Sequence, residues 1–331
     1  MKRFLTFLTV LTLCFCFLFA FACGKTEDTD TEKAQITVYA PDGAPAIAVA
    51  KFIHDKEDFG TDAEVTYNVV SAANIGGAMQ KGDGDIVIIP VNAASKLYSV
   101  KGYKAAAVVT HGNLYLMAKE DLSLQDLKGK VVGVVNIANV PGLTFKAVLK
   151  ANGIDYAEGD TAQGEIVTLK GYADGSELVP ALKSGAVSIG ILPEPAANKL
   201  TQIAAEYKYA LDIQSLYDQE SASYPQAVMM VKAELTEKFP ALINAIKEKF
   251  DGNVIWAKEN IEQAVAAVES VLAEGVTPSF TAQNLNGTVI DNCKIFWQDG
   301  EAAKTAVVEY INRIKDIVDE SANAVTDDFF A

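Results

Sequence analysis

The spacing of apolar residues constrains this chain more than any other feature of it. From Gln35 onward, apolar runs of four to eight residues, too short for ordinary helices, alternate with stretches in which apolar positions recur every third or fourth residue. Strands are expected at 36–40, 63–70 and 85–89, and helices at 46–53, 73–80 and 92–98. The uninterrupted apolar run at 85–89 implies a strand covered on both faces. Alternation of this kind builds an open, mostly parallel α/β sheet flanked by helices. Residues 104–119 break the rhythm, because the β-rich stretch is too long for one ordinary strand. It is read as a crossing into a second lobe, where strands at 130–135, 166–169 and 188–192 alternate with helices at 144–152 and 178–184. A strand at 224–231 then brings the chain back.

Beyond Leu235 the pattern turns helical. Leu235, Phe239, Leu242, Ile246 and Phe250 share one face, followed by Ile261, Val265, Val268 and Leu272, and then Val307, Ile311, Ile314 and Ile317. These stripes are core faces that buttress the first lobe. Trp256 and Trp297 fall in the same region and are assigned to packing rather than to ligand stacking. The expected organisation is lobe one at 35–112 and 226–331, with lobe two at 113–225.

The amino terminus sets the compartment. Lys2 and Arg3 precede an apolar run over residues 4–21 that closes on Ala20-Phe21-Ala22-Cys23-Gly24, the layout of a secretory signal, with a membrane-spanning helix as the rival reading. Small residues before Cys23 resemble a lipobox. On that reading residues 1–22 are a signal peptide, and Cys23 is the lipidated first residue of a protein anchored on the extracytoplasmic face of the cell membrane. Residues 23–34 are polar and acidic and form a flexible tether. Loss of Lys2 and Arg3 with the signal takes the formal charge from −15 to −17, which argues against a nucleic-acid partner. The mature chain keeps only Cys23 and Cys293, so no disulfide framework is available and stability comes from packing.

The residue inventory narrows the chemistry. There is no GxxxxGK[ST], GxSxG or HExxH sequence, and His54 and His111 are the only histidines, a poor provision for a triad or a histidine metal site. His54 closes a helix stripe. His111, beside Gly112 at the crossing, is a candidate either for ligand contact or for a hinge hydrogen bond. Arg313 is the one arginine of the mature chain and sits on the polar side of the last helix, so no guanidinium fork is expected for a carboxylate. Ligands of open α/β sheets bind where strand ends lead into helix starts. Five such loops are present: Pro41-Asp42-Gly43-Ala44-Pro45, Ser71-Ala72-Ala73-Asn74, Pro90-Val91-Asn92-Ala93-Ala94, Asn139-Val140-Pro141-Gly142-Leu143-Thr144 and Leu192-Pro193-Glu194-Pro195. Each alone reads as a turn and cap; together they suggest a cleft.

Three segments carry a family resemblance: Ser123-Leu124-Gln125-Asp126-Leu127-Lys128-Gly129-Lys130-Val131-Val132-Gly133, Ala181-Leu182-Lys183-Ser184-Gly185, and Leu192-Pro193-Glu194-Pro195. The chain resembles the type II periplasmic binding proteins of ABC importers, in the nitrate, taurine, alkanesulfonate and thiamine-precursor branch. The resemblance implies two α/β lobes joined by two crossing strands and closing over one solute, with extra C-terminal helices on lobe one. It implies a monomer that works with an ABC permease and its ATPase, without cofactor or metal and without enzymatic activity. Carried over position by position, it assigns ligand contact to Asp42, Ala44, Pro45, Asn74, Asn92, Ala93, Thr144 and Glu194. Tyr224, like Tyr115, flanks a proposed crossing and either walls the cleft or packs in the hinge. Ser188 stands where relatives usually carry Asp, and the loops lack the arginine of a sulfonate clamp. A thiamine-precursor-like or other heterocycle, neutral or weakly charged, is therefore favoured over a sulfonate, and a small anion, which Lys, backbone N–H groups and helix N-termini would have to hold, stays a further candidate. Two alternatives stay open: a surface receptor that signals through a partner protein, and a pyrimidine-synthase-like enzyme, whose Cys-rich motif is missing here.

Overall fold

A computed structural model describes residues 33–317 and 323–331; the expected signal peptide, Cys23 and the expected tether up to residue 32 lie outside the described residues. Residues Gln35–Ala331 form one unit built on two six-stranded sheets. The chain starts the first sheet with β1 (Gln35–Pro41), α1 (Ala44–Ala48), α2 (Ala50–Asp55), β2 (Glu64–Val70), α3 (Ile75–Lys81), β3 (Ile86–Pro90), α4 (Val91–Leu97) and β4 (Tyr103–His111). β1 pairs in parallel with both β2 and β3, with Val38 opposite Tyr67 and Ile86. Ile86, Val87, Ile88 and Ile89 are all fully buried, as the continuous apolar run requires of a strand covered on both faces.

The β-rich stretch 104–119 divides at Gly112 and Asn113 into β4 and β5 (Leu114–Ala118), which belong to different sheets. The second sheet continues with β6 (Val131–Val135), α5 (Val140–Ala151), β7 (Tyr156–Glu158), β8 (Val167–Tyr172), α6 (Gly175–Ser184), β9 (Ile189–Pro193), α7 (Ala196–Ile203) and β10 (Lys208–Asp212). Its order is β10-β5-β9-β6-β8-β7, with β6, β7, β8 and β9 in parallel and β5 antiparallel to both of its neighbours, β9 and β10. After α8 (Ile213–Tyr217) the chain returns through β11 (Pro225–Lys232), which inserts antiparallel between β3 and β4.

The C-terminal part adds α9 (Ala233–Lys238), α10 (Leu242–Glu259), α11 (Ile261–Ser270), α12 (Gly287–Asn292), β12 (Ile295–Asp299) and α13 (Gly300–Lys315) to the first sheet. Within this stretch, read from sequence as helical, β12 is an edge strand on β4. Its conformation comes from that cross-strand pairing, which no local pattern announces. The helical stripes are buried as expected: Val307, Ile311 and Ile314 of α13 have no exposed surface, each contributing about 1.5–3 kcal/mol through burial. Trp297 is half-buried, packed edge-on against Phe250 with its Nε1–H donated to Asp299. Trp256 is half-buried beside His54 and Lys51.

A single side chain of α10 fixes the break between α1 and α2. Asn253 is fully buried; its Oδ1 accepts from the backbone N–H of Lys51 at 2.6 Å and of Phe52 at 3.3 Å, and its Nδ2 donates to the Ala48 carbonyl. These backbone groups are left over where one helix ends and the next begins.

Candidate functional site

The parallel strands of both sheets end at one cavity of about 100 Å³, as the rule for open α/β sheets requires. The first sheet contributes the turn at Pro41–Pro45 after β1, Ser71 and Ala72 after β2, Pro90 at the end of β3, Gln226 and Ala227 on β11, and Val276 and Ser279 from the segment after α11. The second contributes Asn113, then Val135 and Asn136 after β6, Asn139 to Pro141 at the start of α5, Asp174 to Ser176 at the start of α6, and Pro193 to Ala196 after β9. Contacts between the lobes hold these loops together. Asn198 of α7 donates to the Asn284 carbonyl at 2.6 Å, and Lys199 to the Pro278 carbonyl at 3.0 Å.

Asp42 dominates the electrostatics. One carboxylate oxygen accepts from the Ser279 N–H at 2.8 Å, while Oδ1 is closed off from solvent without a hydrogen-bond partner. Burial lifts this carboxyl above the ordinary carboxylate value; the bonds from Ser279 and Gly43 pull it back, and the charge of Asp174 across the cavity pushes it up again. Asp174 caps α6, accepting from the Ser176 N–H at 2.8 Å. Asn113 is 1% exposed and donates Nδ2 to the Glu194 carbonyl at 3.2 Å, which leaves its Oδ1 enclosed and unpartnered. Gln226 Oε1 is enclosed in the same way, while the Ser279 hydroxyl lies against the Asp42 carboxyl and helps hold its pKa down.

Of the residues singled out from sequence, Asp42, Ala44, Pro45 and Glu194 line this cavity. Both oxygens of Glu194 are engaged, one by the Tyr209 hydroxyl at 2.6 Å and the other by the Asn198 N–H at 3.0 Å. Burial raises its pKa and these bonds oppose the rise. Asn74 is exposed at the start of α3, and Ala93 is half-buried in α4; neither lines the cavity. Asn92 is buried behind the lining, its Nδ2 3.4 Å from the Ala138 carbonyl and from Asn139 Oδ1.

Thr144, His111 and Tyr224 lie elsewhere. α5 begins at Val140, not Thr144, because Pro141 is at home in a first helical turn. Thr144 thus falls one turn in, fully buried against the Tyr310 hydroxyl at 2.9 Å. Tyr224 is packed between Tyr217 and Tyr310, with ring centroids 5.3 and 5.8 Å away. These three tyrosines, with His111, Phe296 and Arg313, border a separate depression. His111 stacks on Phe296 at 3.6 Å, with Nε2 3.1 Å from Gln298 Oε1 and Nδ1 3.3 Å from the Lys294 carbonyl.

Burial lowers the pKa of His111 against the opposing bonds from Gln298 and Lys294. The unfolded chain therefore takes up a proton at the ordinary value near 6.5 while the folded one resists it. The stability from neutral His111 is complete above about pH 6.5 and is lost as pH falls towards the lowered folded value. Urea midpoints at about pH 7.5 and 5.5 are expected to differ less in His111→Gln than in the parent.

Asn113, Asn136, Asp174, Ser176, Gln226 and Ser279 were not singled out from sequence. Asp174-Gly175-Ser176-Glu177 carries a helix-start signature, with Glu177 accepting from the Ala173 N–H at 2.9 Å, and was legible as a strand-end loop. Asn113 and Gln226 sit in or beside crossing strands and reach the cavity only through the pairing of distant segments.

No protein-family model matches the chain, and no curated protein matches it. Solved structures do match. An ABC transporter protein from Parabacteroides distasonis superposes with a TM-score of 0.71 at 19% identity, over 90% of this chain and 99% of that one. The ligand-binding component of an ABC-type import system from Staphylococcus aureus, solved with zinc bound, gives a TM-score of 0.62 at 13% identity, over 90% and 97%. The periplasmic aliphatic sulphonate binding protein of Escherichia coli gives 0.61 at 12% identity, over 87% and 89%. The chain has the two-lobed α/β fold of these transporter proteins.

Proposed function

We propose that the protein is the extracytoplasmic solute-binding component of an ABC importer, anchored through lipid on Cys23, which captures one small molecule between its lobes and delivers it to a permease. The observation that carries this reading is the cavity itself. Its lining comes from loops of both sheets and includes enclosed polar atoms with no partner in the protein. Buried oxygens of this kind cost free energy until a ligand meets them. A solute that touches both lobes binds the closed arrangement more tightly than an open one and shifts the population towards it. A permease can then read the closed form. A thiamine-precursor-like heterocycle would find acceptors for its amino groups but no aromatic side chain on which to stack, since none lines the cavity among the described residues.

A thermal-shift screen of the chain from Gly24 onward against nucleobases, thiamine precursors, flavins, amines, amino acids, sulfonates and nitrate tests the reading. At one hundred times its Kd a solute stabilises the fold by about 2.7 kcal/mol, a rise of roughly 5 °C or more for a chain of this size. One chemical class is expected to give a dose-dependent rise. A panel of this breadth with no rise at all would count against solute capture.

A further inference from the structure

We propose, resting on the solute-capture reading, that the solute is a compact cation bearing N–H donors, held between Asp42 of the first lobe and Asp174 of the second. The enclosed Oδ1 of Asn113 awaits a donor, and the Asp42 carboxylate, served by Ser279 and the Gly43 N–H, has no cationic partner in the cavity lining. The Asn113 amide cannot turn its nitrogen inward without giving up its bond to the Glu194 carbonyl. A carboxylate from each lobe faces the cavity, while no Lys, Arg or His lines it among the described residues.

The backbone points the same way. Helix starts ordinarily offer N–H groups to anions, but here prolines occupy those positions. Pro45 and Pro141 stand in the first turns of α1 and α5, and Pro90 and Pro195 cap α4 and α7. Each removes a donor that an anion would need. The dipole of α6 is answered by Asp174, and the Leu143 N–H of α5 is already bonded to the Asn139 carbonyl at 2.9 Å. A quaternary ammonium would leave the acceptors unmet and would find no aromatic cage. An amine, amidine or guanidine satisfies both the charge and the hydrogen bonds.

The test uses the full-length protein solubilised in mild detergent and three nearly isosteric probes that differ in charge: butyramidinium, butyramide and butyrate, with acetamidinium, acetamide and acetate as a shorter set. Calorimetric titration at about pH 7.5 is expected to give butyramidinium an affinity at least about tenfold above that of butyrate. Asp42→Asn is expected to cost the amidinium at least about tenfold and the amide less than about threefold. Asp174→Asn, which keeps the helix cap, is expected to cost the amidinium about threefold or more and supplies a second reading should the first variant fold poorly. Equal or tighter binding of the carboxylate, or amidinium binding indifferent to both substitutions, would overturn the proposal and leave solute capture standing. Binding by none of the six probes would also overturn it, and the wider screen then decides on capture by itself.

Discussion

Gly142→Ala is expected to destabilise the protein by about 3 kcal/mol and to lower its melting temperature by roughly 5 °C. Gly142 lies in the first turn of α5, and a Cβ there would stand 2.1 Å from the Ile137 carbonyl oxygen and 2.5 Å from its carbonyl carbon and Cα. All three contacts are backbone, so no side chain can rotate away. The turn that would have to move is tight: Asn136 has φ +47°, and the Asn139 N–H bonds back to the Asn136 carbonyl at 2.8 Å. It is also tied down, since buried Lys146 donates to the Ile137 carbonyl at 3.2 Å and to Glu158 at 2.6 Å. Asn136, Asn139, Val140 and Pro141 line the cavity, so solute affinity should fall with stability, by about tenfold or more for one lost buried hydrogen bond. Gly77→Ala in α3, where an added Cβ meets nothing, is the control and should be neutral or stabilising by up to about 1 kcal/mol. Urea unfolding of both variants measures the difference.

Asn253→Ala should cost a similar amount, about 3 kcal/mol. Its amide serves two N–H groups at the start of α2 and the carbonyl that ends α1, roles that an alanine leaves empty in a site closed to water. The cost is that of desolvated backbone groups without partners rather than of the side chain's own contacts. Asn253→Asp keeps the acceptor but loses the donor to Ala48 and buries a charge, so it should not rescue stability. Ile255→Ala, two residues on and 57% exposed, should stay within about 0.5 kcal/mol of the parent. Because α1 begins at the Asp42 turn, a loosened α1–α2 break should also weaken binding.

Elements with a strong local period were legible in the sequence. The fully apolar β3, the β1 and β2 runs and the α13 stripe need no partner to be recognised, and the overlong stretch 104–119 betrayed a change of sheet by its length alone. Elements whose conformation is imposed by neighbours were not. β12 and β10 are short edge strands with one buried position between them, and take their form from β4 and β5. At the cavity, the strand-end rule marked the loops and the family resemblance assigned Asp42, Ala44, Pro45 and Glu194 within them, and all four line the cavity where loops after parallel strands converge. Thr144 was misplaced because Pro141-Gly142 read as a break ahead of a helix when it is the helix's first turn. Asn113, Gln226 and Ser279 belong to segments far apart in the chain, and only folding brings their oxygens to one point.

Closure of the lobes over a solute is tested most directly by single-molecule energy transfer between dyes on Ala73→Cys and Lys183→Cys, exposed positions on the first and second lobes. Cys293 is fully buried, so in the chain from Gly24 onward the dyes go to the two introduced thiols. With the solute that gives the largest thermal shift, the distance distribution is expected to collapse to one narrow, shorter population, with a midpoint that matches the calorimetric Kd. A distribution that stays unchanged at saturating solute would contradict capture between the lobes.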